Sequence, residues 1–343
     1  MLTRLASSLL LALAVPLAGQ AKADSVEDFY KGKTVNLIIG YSVGGGYDTY
    51  SRVLAQHMGK HIPGNPTVVP QNMPGAGSLK AANYIFNVAP KDGTVFGTFA
   101  RGLAMEPLIG TSSTQFDPSK FTWLGSIAEE KSVCVTWHTS PVKTWEDAQK
   151  TPFKVAGEGS GSDPDIFSSV VKSLFDVPME LVTGYPGTNE MTLAIERGEV
   201  DGRCGWSWNV IKTAQADWVR DKKLNILLQM SLHPIEDLPD VPNVMNIAQT
   251  DEQKQVLKLV LGRQVMGRPY AAPPGLPPER AEALRKAFEA TMKDPDFLAE
   301  AEARGLEVSP ITGKELDELV ADLYATPKET LAHARAAIGE AAR

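Results

Sequence analysis

The segment from Val35 to Met58, VNLIIGYSVGGGYDTYSRVLAQHM, constrains the fold most, because an apolar run meets three consecutive glycines and passes directly into a helical pattern. TVNLII (34–39) reads as a buried strand, and Tyr50, Val53, Leu54, His57, Met58 and His61 recur behind it at helical spacing. The unit then repeats. TVVPQN (67–72) predicts a second strand, Leu79, Ala82, Ile85 and Phe86 a second helical stripe, and GTVFGTFA (93–100) a third strand. Strands and helices alternating over short connections predict an α/β chain with a parallel sheet wrapped by helices.

The alternation restarts after a junction at 139–152. FKVAG (153–157) predicts a strand, DIFSSVVKSLFD (165–176) a helix, MELVTG (179–184) a strand, and TNEMTLAIERG (188–198) a helix ended by Gly198. EVDGRCGW and LNILLQMS supply further strands. In the last third, Pro277 and Pro278 suit a first helical turn, and Leu284, Phe288 and Met292 stripe the helix that follows. The expected organisation is lobe 1 over 24–128, lobe 2 over 129–231, and a return to lobe 1 with C-terminal helices over 232–343. Ligands favour the cleft such an arrangement leaves. The 343 residues, 43% of them hydrophobic, suffice for two cores.

Residues 1–23 read as an export signal: Arg4, an apolar stretch from Leu9 to Leu17, then Ala21-Lys22-Ala23. Cleavage after Ala23 would release a periplasmic chain beginning at Asp24. The apolar stretch is shorter than the roughly 18 residues of a membrane span, and no later segment is long and apolar enough. In an oxidising compartment Cys134 and Cys204 either bridge, closing a loop of about 70 residues, or remain two buried thiols that never meet. The sequence leaves both open.

Lys+Arg 34 against Asp+Glu 41 gives a net charge of -7, and no basic cluster is present to hold a phosphate backbone, so nucleic acid is excluded as a partner. The glycine loop has another use. At the carboxyl end of a parallel strand it opens onto a helix start, where N–H groups are unpaired and glycine lets a ligand approach the backbone. Gly44, Gly45 and Gly46 therefore suit an oxyanion, and NMPGAGS (72–78) forms a second such loop. Nucleotide motifs are missing: Tyr47-Asp48 follow Gly46 where a P-loop needs Lys-Ser/Thr, and Thr49 occupies the third dinucleotide glycine position. No cofactor or metal is expected, since His57 and His61 have no third ligand in view. GEGSGSD lacks the Gly-x-Ser-x-Gly elbow, so an α/β hydrolase, the enzyme alternative, is disfavoured.

Six ordered motifs, VNLIIGYSVGGGYDTYSR, QNMPGAGSLKAANYI, APKDGTVFG, YPGTNEMTLAIERGEVDG, LPDVPNV and APPGLPPERAEALRKAF, resemble the periplasmic solute receptors of tripartite tricarboxylate transporters, the Bug proteins. The resemblance spans essentially the whole mature chain. It implies a two-lobed type II periplasmic-binding-protein fold, monomeric, that closes on a small carboxylate and delivers it to membrane permease subunits; a chemosensory receptor on the same scaffold is the alternative. It places Tyr41, Ser42, Gly44, Gly45, Gly46 and Asp48 in a first jaw and Pro74, Gly75, Ala76, Gly77 and Ser78 in a second, gripping through backbone N–H groups. From the other lobe it implies Ser160, Gly161 and Ser162, with Tyr185, Gly187 and Thr188. Asp163-Pro164-Asp165 depart from the family pattern. Asp163 is read as a helix cap, or as the mark of a ligand whose distal end is not anionic. Arg101 is read as a compensating charge, a ligand contact or an exposed side chain. Gly45→Val and Gly75→Val are both expected to abolish binding.

Overall fold

Each lobe is built on its own sheet. The structure, a computed structural model, describes residues 25–109 and 114–339; the expected export signal lies outside them. Its strands are β1 (Thr34–Ile39), β2 (Thr67–Asn72), β3 (Val95–Thr98), β4 (Thr122–Ser126), β5 (Ser132–Trp137), β6 (Phe153–Ala156), β7 (Met179–Val182), β8 (Gly202–Ser207), β9 (Leu224–Met230), β10 (Pro269–Ala272) and β11 (Ile311–Thr312). The helices of nine residues or more are α1 (Gly46–Met58), α2 (Leu79–Asn87), α3 (Asp163–Phe175), α4 (Thr188–Glu196), α5 (Asp251–Met266), α6 (Pro278–Thr291), α7 (Pro295–Ala303), α8 (Gly313–Tyr324) and α9 (Lys328–Gly339).

Lobe 1 carries the sheet β11-β4-β10-β3-β1-β2, and lobe 2 the sheet β7-β6-β8-β5-β9. The apolar run of β1 is explained by burial on both faces. Val35, Leu37 and Ile39 pack with Leu54 and Leu284 from α1 and α6, while Ile38 points the other way, toward Ile85 and Val320 from α2 and α8. Pro70 is tolerated because β2 lies at the sheet edge. In lobe 2, β5 divides likewise: Cys134 faces Phe167 of α3, and Val133 and Val135 face Ile195 of α4.

Two expectations need correction. The sheets are mixed, since β10 runs antiparallel to β3 and β4, and β5 antiparallel to β8 and β9. These strands follow the crossings between lobes, β4 to β5 and α5 to β10, which bring the chain in from the opposite side. Nor does 232–343 return to lobe 1 as a unit. Val256, Leu257 and Val260 of α5 and Leu331, Ala334 and Ile338 of α9 bury their apolar faces in the lobe 2 core, whereas α6 to α8 pack on lobe 1. The cysteine alternatives resolve to a bridge: Cys134 and Cys204 are disulfide-bonded across β5 and β8, beside a shift in register between Val133 and Val135.

Candidate functional site between the lobes

Helix starts from both lobes face each other across the cleft, and in each an aspartate in the first turn ties down the glycine loop before it. Gly44, at φ +87°, donates its N–H to Asp48 Oδ2 at 2.8 Å, and Arg52 and Asn72 donate to the same carboxylate. Burial raises the Asp48 pKa, but these donors outweigh it and hold the carboxyl below its ordinary value. In lobe 2, Asp165 accepts from Glu158 N at 2.6 Å, Gly159 N at 2.9 Å, Ser162 Oγ at 2.8 Å and Thr183 Oγ1 at 2.5 Å. Amides that bare glycine loops would offer to an anion are therefore partly occupied from within.

Between these loops lies a cavity of about 50 Å³ lined by Tyr41, Gly45, Tyr47, Arg101, Glu158, Asp163, Thr188, Arg203, Trp206 and Arg268 among others. At roughly 10–15 Å³ for each water it has room for a few waters, so anything larger would enter only when the lobes part. Its walls are charged. Arg101 donates Nε and Nη2 to Asp163 Oδ2 at 2.9 and 2.5 Å and Nη1 to Gly267 O at 3.0 Å. Both partners are buried, at 5% and 6% exposure. Burial opposes the Arg101 charge, but Asp163 more than offsets it and raises the pKa. Arg268 pairs with Glu130 Oε1 at 2.5 Å and lies over the rings of Tyr47 and Tyr50. Because Glu130 follows β4 and Arg268 precedes β10, this pair bolts together the two crossings that form the hinge.

Arg203 is different. Its side chain is 3% exposed, yet Nε and Nη1 have no hydrogen-bond partner, and Trp206 Nε1 beside it has none either. Burial pulls the Arg203 pKa down, opposed chiefly by Glu158. Glu158 is itself pushed up to about 7 by burial, with Arg203 pulling the other way. A buried guanidinium with unused donors, facing a cavity, is an arrangement that an oxyanion completes.

Of the residues anticipated from sequence, Tyr41, Gly45, Arg101 and Thr188 line this cavity. Others hold the two lobes together around it. Ser42 Oγ donates to Glu190 at 2.8 Å, Gly187 lies against Ser42, and Ser160 Oγ donates to Glu106 at 2.5 Å, whereas Gly161 O accepts from Arg263 of α5 at 3.3 Å. Gly46 packs under the Arg268 guanidinium, and Ser162 precedes α3. The second loop is the main departure. Pro74, Gly75, Ala76, Gly77 and Ser78 do not line the cavity; Gly77 N donates to Glu158 O at 3.0 Å, and Ser78 Oγ accepts from Ala100 N at 2.6 Å. A Cβ on Gly77 would sit 2.7 Å from Gly159 O, so glycine there serves close apposition of the lobes. Tyr185 also lies outside the lining, partly buried and packed against the lobe 2 core. Asp163 does not cap α3: no side-chain cap bond is made there, and its carboxylate faces Arg101. Arg101 is not exposed, and supplies the compensating charge. His57 and His61 bond Glu300 and Asp294, joining α1 and the turn after it to α7 and the turn before that helix.

These placements separate two variants. At Gly45 a Cβ would meet Thr188 Cβ across the cleft at 3.5 Å, so the branches of Gly45→Val crowd the cavity. At Gly75 the nearest atom is Lys80 Cδ at 3.4 Å and φ is +142°, so Gly75→Val strains its loop without entering the cavity. Calorimetry with a bound carboxylate is expected to show affinity more than tenfold weaker for Gly45→Val and near parent for Gly75→Val, the reverse order overturning this placement.

The receptor model of the tripartite tricarboxylate transporter family matches residues 50–334. A Cupriavidus necator protein described as "UPF0065 protein in gbd 5'region" is 27% identical over 288 residues, covering 82% of this chain and 80% of its own. Among solved structures, the periplasmic binding protein BugD superposes with a TM-score of 0.71 at 20% identity, covering 91% of this chain and 99% of its own. MatC from Rhodopseudomonas palustris, solved with bound malate, gives 0.68 at 20% identity, covering 87% and 99%. An R. palustris protein solved with adipate gives 0.68 at 18%, covering 88% and 97%. The two lobes described above thus have the periplasmic-binding-protein fold.

Proposed function

Since this chain belongs to the tripartite tricarboxylate transporter receptor family, a family of solute receptors, we propose that it captures a small organic carboxylate between its lobes in the periplasm and presents it to a membrane permease. The observation that carries this reading is Arg203, buried at the cavity with Nε and Nη1 unpartnered. A buried cation without a full set of acceptors is costly, and a carboxylate oxygen is an acceptor to which a guanidinium N–H donates a strong, charge-assisted hydrogen bond. Malate bound by MatC and adipate bound by a second relative of the same fold support the substrate class. Ligand capture then follows from closure, because Arg203 belongs to lobe 2 while Gly45 and Tyr41 belong to lobe 1.

A thermal-shift screen of the mature chain against mono-, di- and tricarboxylates tests the reading. A carboxylate at 100 times its dissociation constant stabilises by about 2.7 kcal/mol. In Arg203→Met, loss of the charged hydrogen bonds is expected to weaken that binding by about 2–3 kcal/mol. A parent protein unmoved by every carboxylate, or Arg203→Met binding as the parent does, would overturn it.

A further inference from the structure

We infer that Glu158 is a ligand-binding residue that takes up a proton when the cleft captures its carboxylate, so that anion and proton are bound together. The inference rests on the carboxylate reading of the cleft and adds to it the identity of a second polar contact.

Glu158 and Arg203 line the same cavity, and Arg203 is the foremost positive influence on Glu158. Glu158 is 6% exposed and its place is fixed by its backbone, N–H to Asp165 and C=O to Gly77 of the opposite lobe. It therefore stays beside Arg203 while the lobes are shut. The charges facing it are Arg203 from β8, Asp163 and Asp165 from α3, and Arg101 from the turn after β3, with Tyr41 from the loop after β1. Arg101 is already matched to Asp163, and Asp165 is held by backbone and hydroxyl donors. Among the described residues that face Glu158, Arg203 is the cation not already hydrogen-bonded to another carboxylate. A carboxylate oxygen seated on a free donor of Arg203, Nε or Nη1, brings two anions to one buried cation, and both cannot stay ionised. The ligand carboxylate, held by the guanidinium, keeps its charge; Glu158 takes a proton from solvent and its new O–H becomes a donor facing the ligand. Burial has already carried Glu158 most of the way, to a pKa of about 7.

The sign follows. Above its ordinary value of 4.5, Glu158 binds its proton more tightly folded than unfolded, so the free protein loses stability as pH rises from about 4.5 to 7. A bound anion moves the midpoint higher still, and affinity falls up to tenfold per pH unit between the free and bound midpoints. The experiment is calorimetry of the mature chain with malate, adipate and benzoate in two buffers of different ionisation heat, at pH 6, 7.5 and 8.5. Uptake of about half a proton per carboxylate is expected at pH 7.5 for a bound midpoint one unit above the free one. Glu158→Gln, which keeps an N–H donor at every pH, is expected to bind with no proton uptake and a flat profile. Carboxylate binding by the parent with no proton exchange, or Glu158→Gln retaining the parent's uptake, overturns the inference while leaving the receptor reading intact. No binding of any carboxylate overturns both.

Discussion

Arg101→Met will cost about 3–5 kcal/mol of stability, because it leaves the Asp163 carboxylate buried without its partner. Arg263 cannot take over, since its Nη1 lies 4.0 Å from Asp163 Oδ1, outside hydrogen-bond reach. Replacing both partners, as Arg101→Met with Asp163→Leu, removes the stranded charge and is expected to recover most of the loss. Chemical denaturation of the parent, the single variant and the double variant measures this directly. There is a ceiling on the effect. The pair spans the cleft, so parting the lobes returns Asp163 to water, and the penalty cannot exceed the free energy of opening. A single variant with a small loss of stability but a larger radius of gyration in solution scattering would show that ceiling in operation. A single variant as stable and as compact as the parent would mean that the pair holds nothing together.

Removing the bridge, as Cys134→Ala with Cys204→Ala, is expected to lower the unfolding free energy by about 4 kcal/mol, the loop-closure term for a separation of 70 residues. Urea titration under oxidising conditions reads the loss, and reductant is expected to bring the parent to the same midpoint. A difference below about 1 kcal/mol between parent and variant would sink the expectation. Position matters as well as loop length. The bridge lies where the pairing of β5 with β8 shifts register, and β8 presents Arg203 and Trp206 on either side of it. Loosening that register is expected to weaken carboxylate binding even at temperatures where the variant is folded.

Much of this architecture was legible in residue patterns because the signals are local. TVNLII and TVVPQN gave β1 and β2 their bounds, and stripes such as Leu79, Ala82 and Ile85 marked the helix faces that meet the sheet. β4, β10 and β11 left little trace. PYAA is short and begins with proline, and its pairing with β3 and β4 is made by a chain returning from the other lobe, which no local window contains. The site was harder. The glycines near 44–46 and 75–77 are plain in the sequence, but the amides they expose are partly taken by Asp48 and by Glu158 O. One clue to this was available: Gly45-x-x-Asp48 and Ser162-x-x-Asp165 both have capping-box spacing, which turns a carboxylate back onto the loop before the helix. Arg203, Arg268, Glu130 and Glu158 were missed as site residues. For Arg203 the signal was a lone charge inside EVDGRCGW, a stretch otherwise fit for burial, where an ion is retained only with a partner to meet.

Arg268 joins two duties. Its Nη2 fastens one crossing strand to the other through Glu130, and its guanidinium also forms part of the chamber wall. A substitution there would retune the spring and the lock in a single step, altering how often the jaws swing as well as what they grip. Divergence toward new solutes is therefore freer on the β8 wall, at Arg203, which takes no part in that pair.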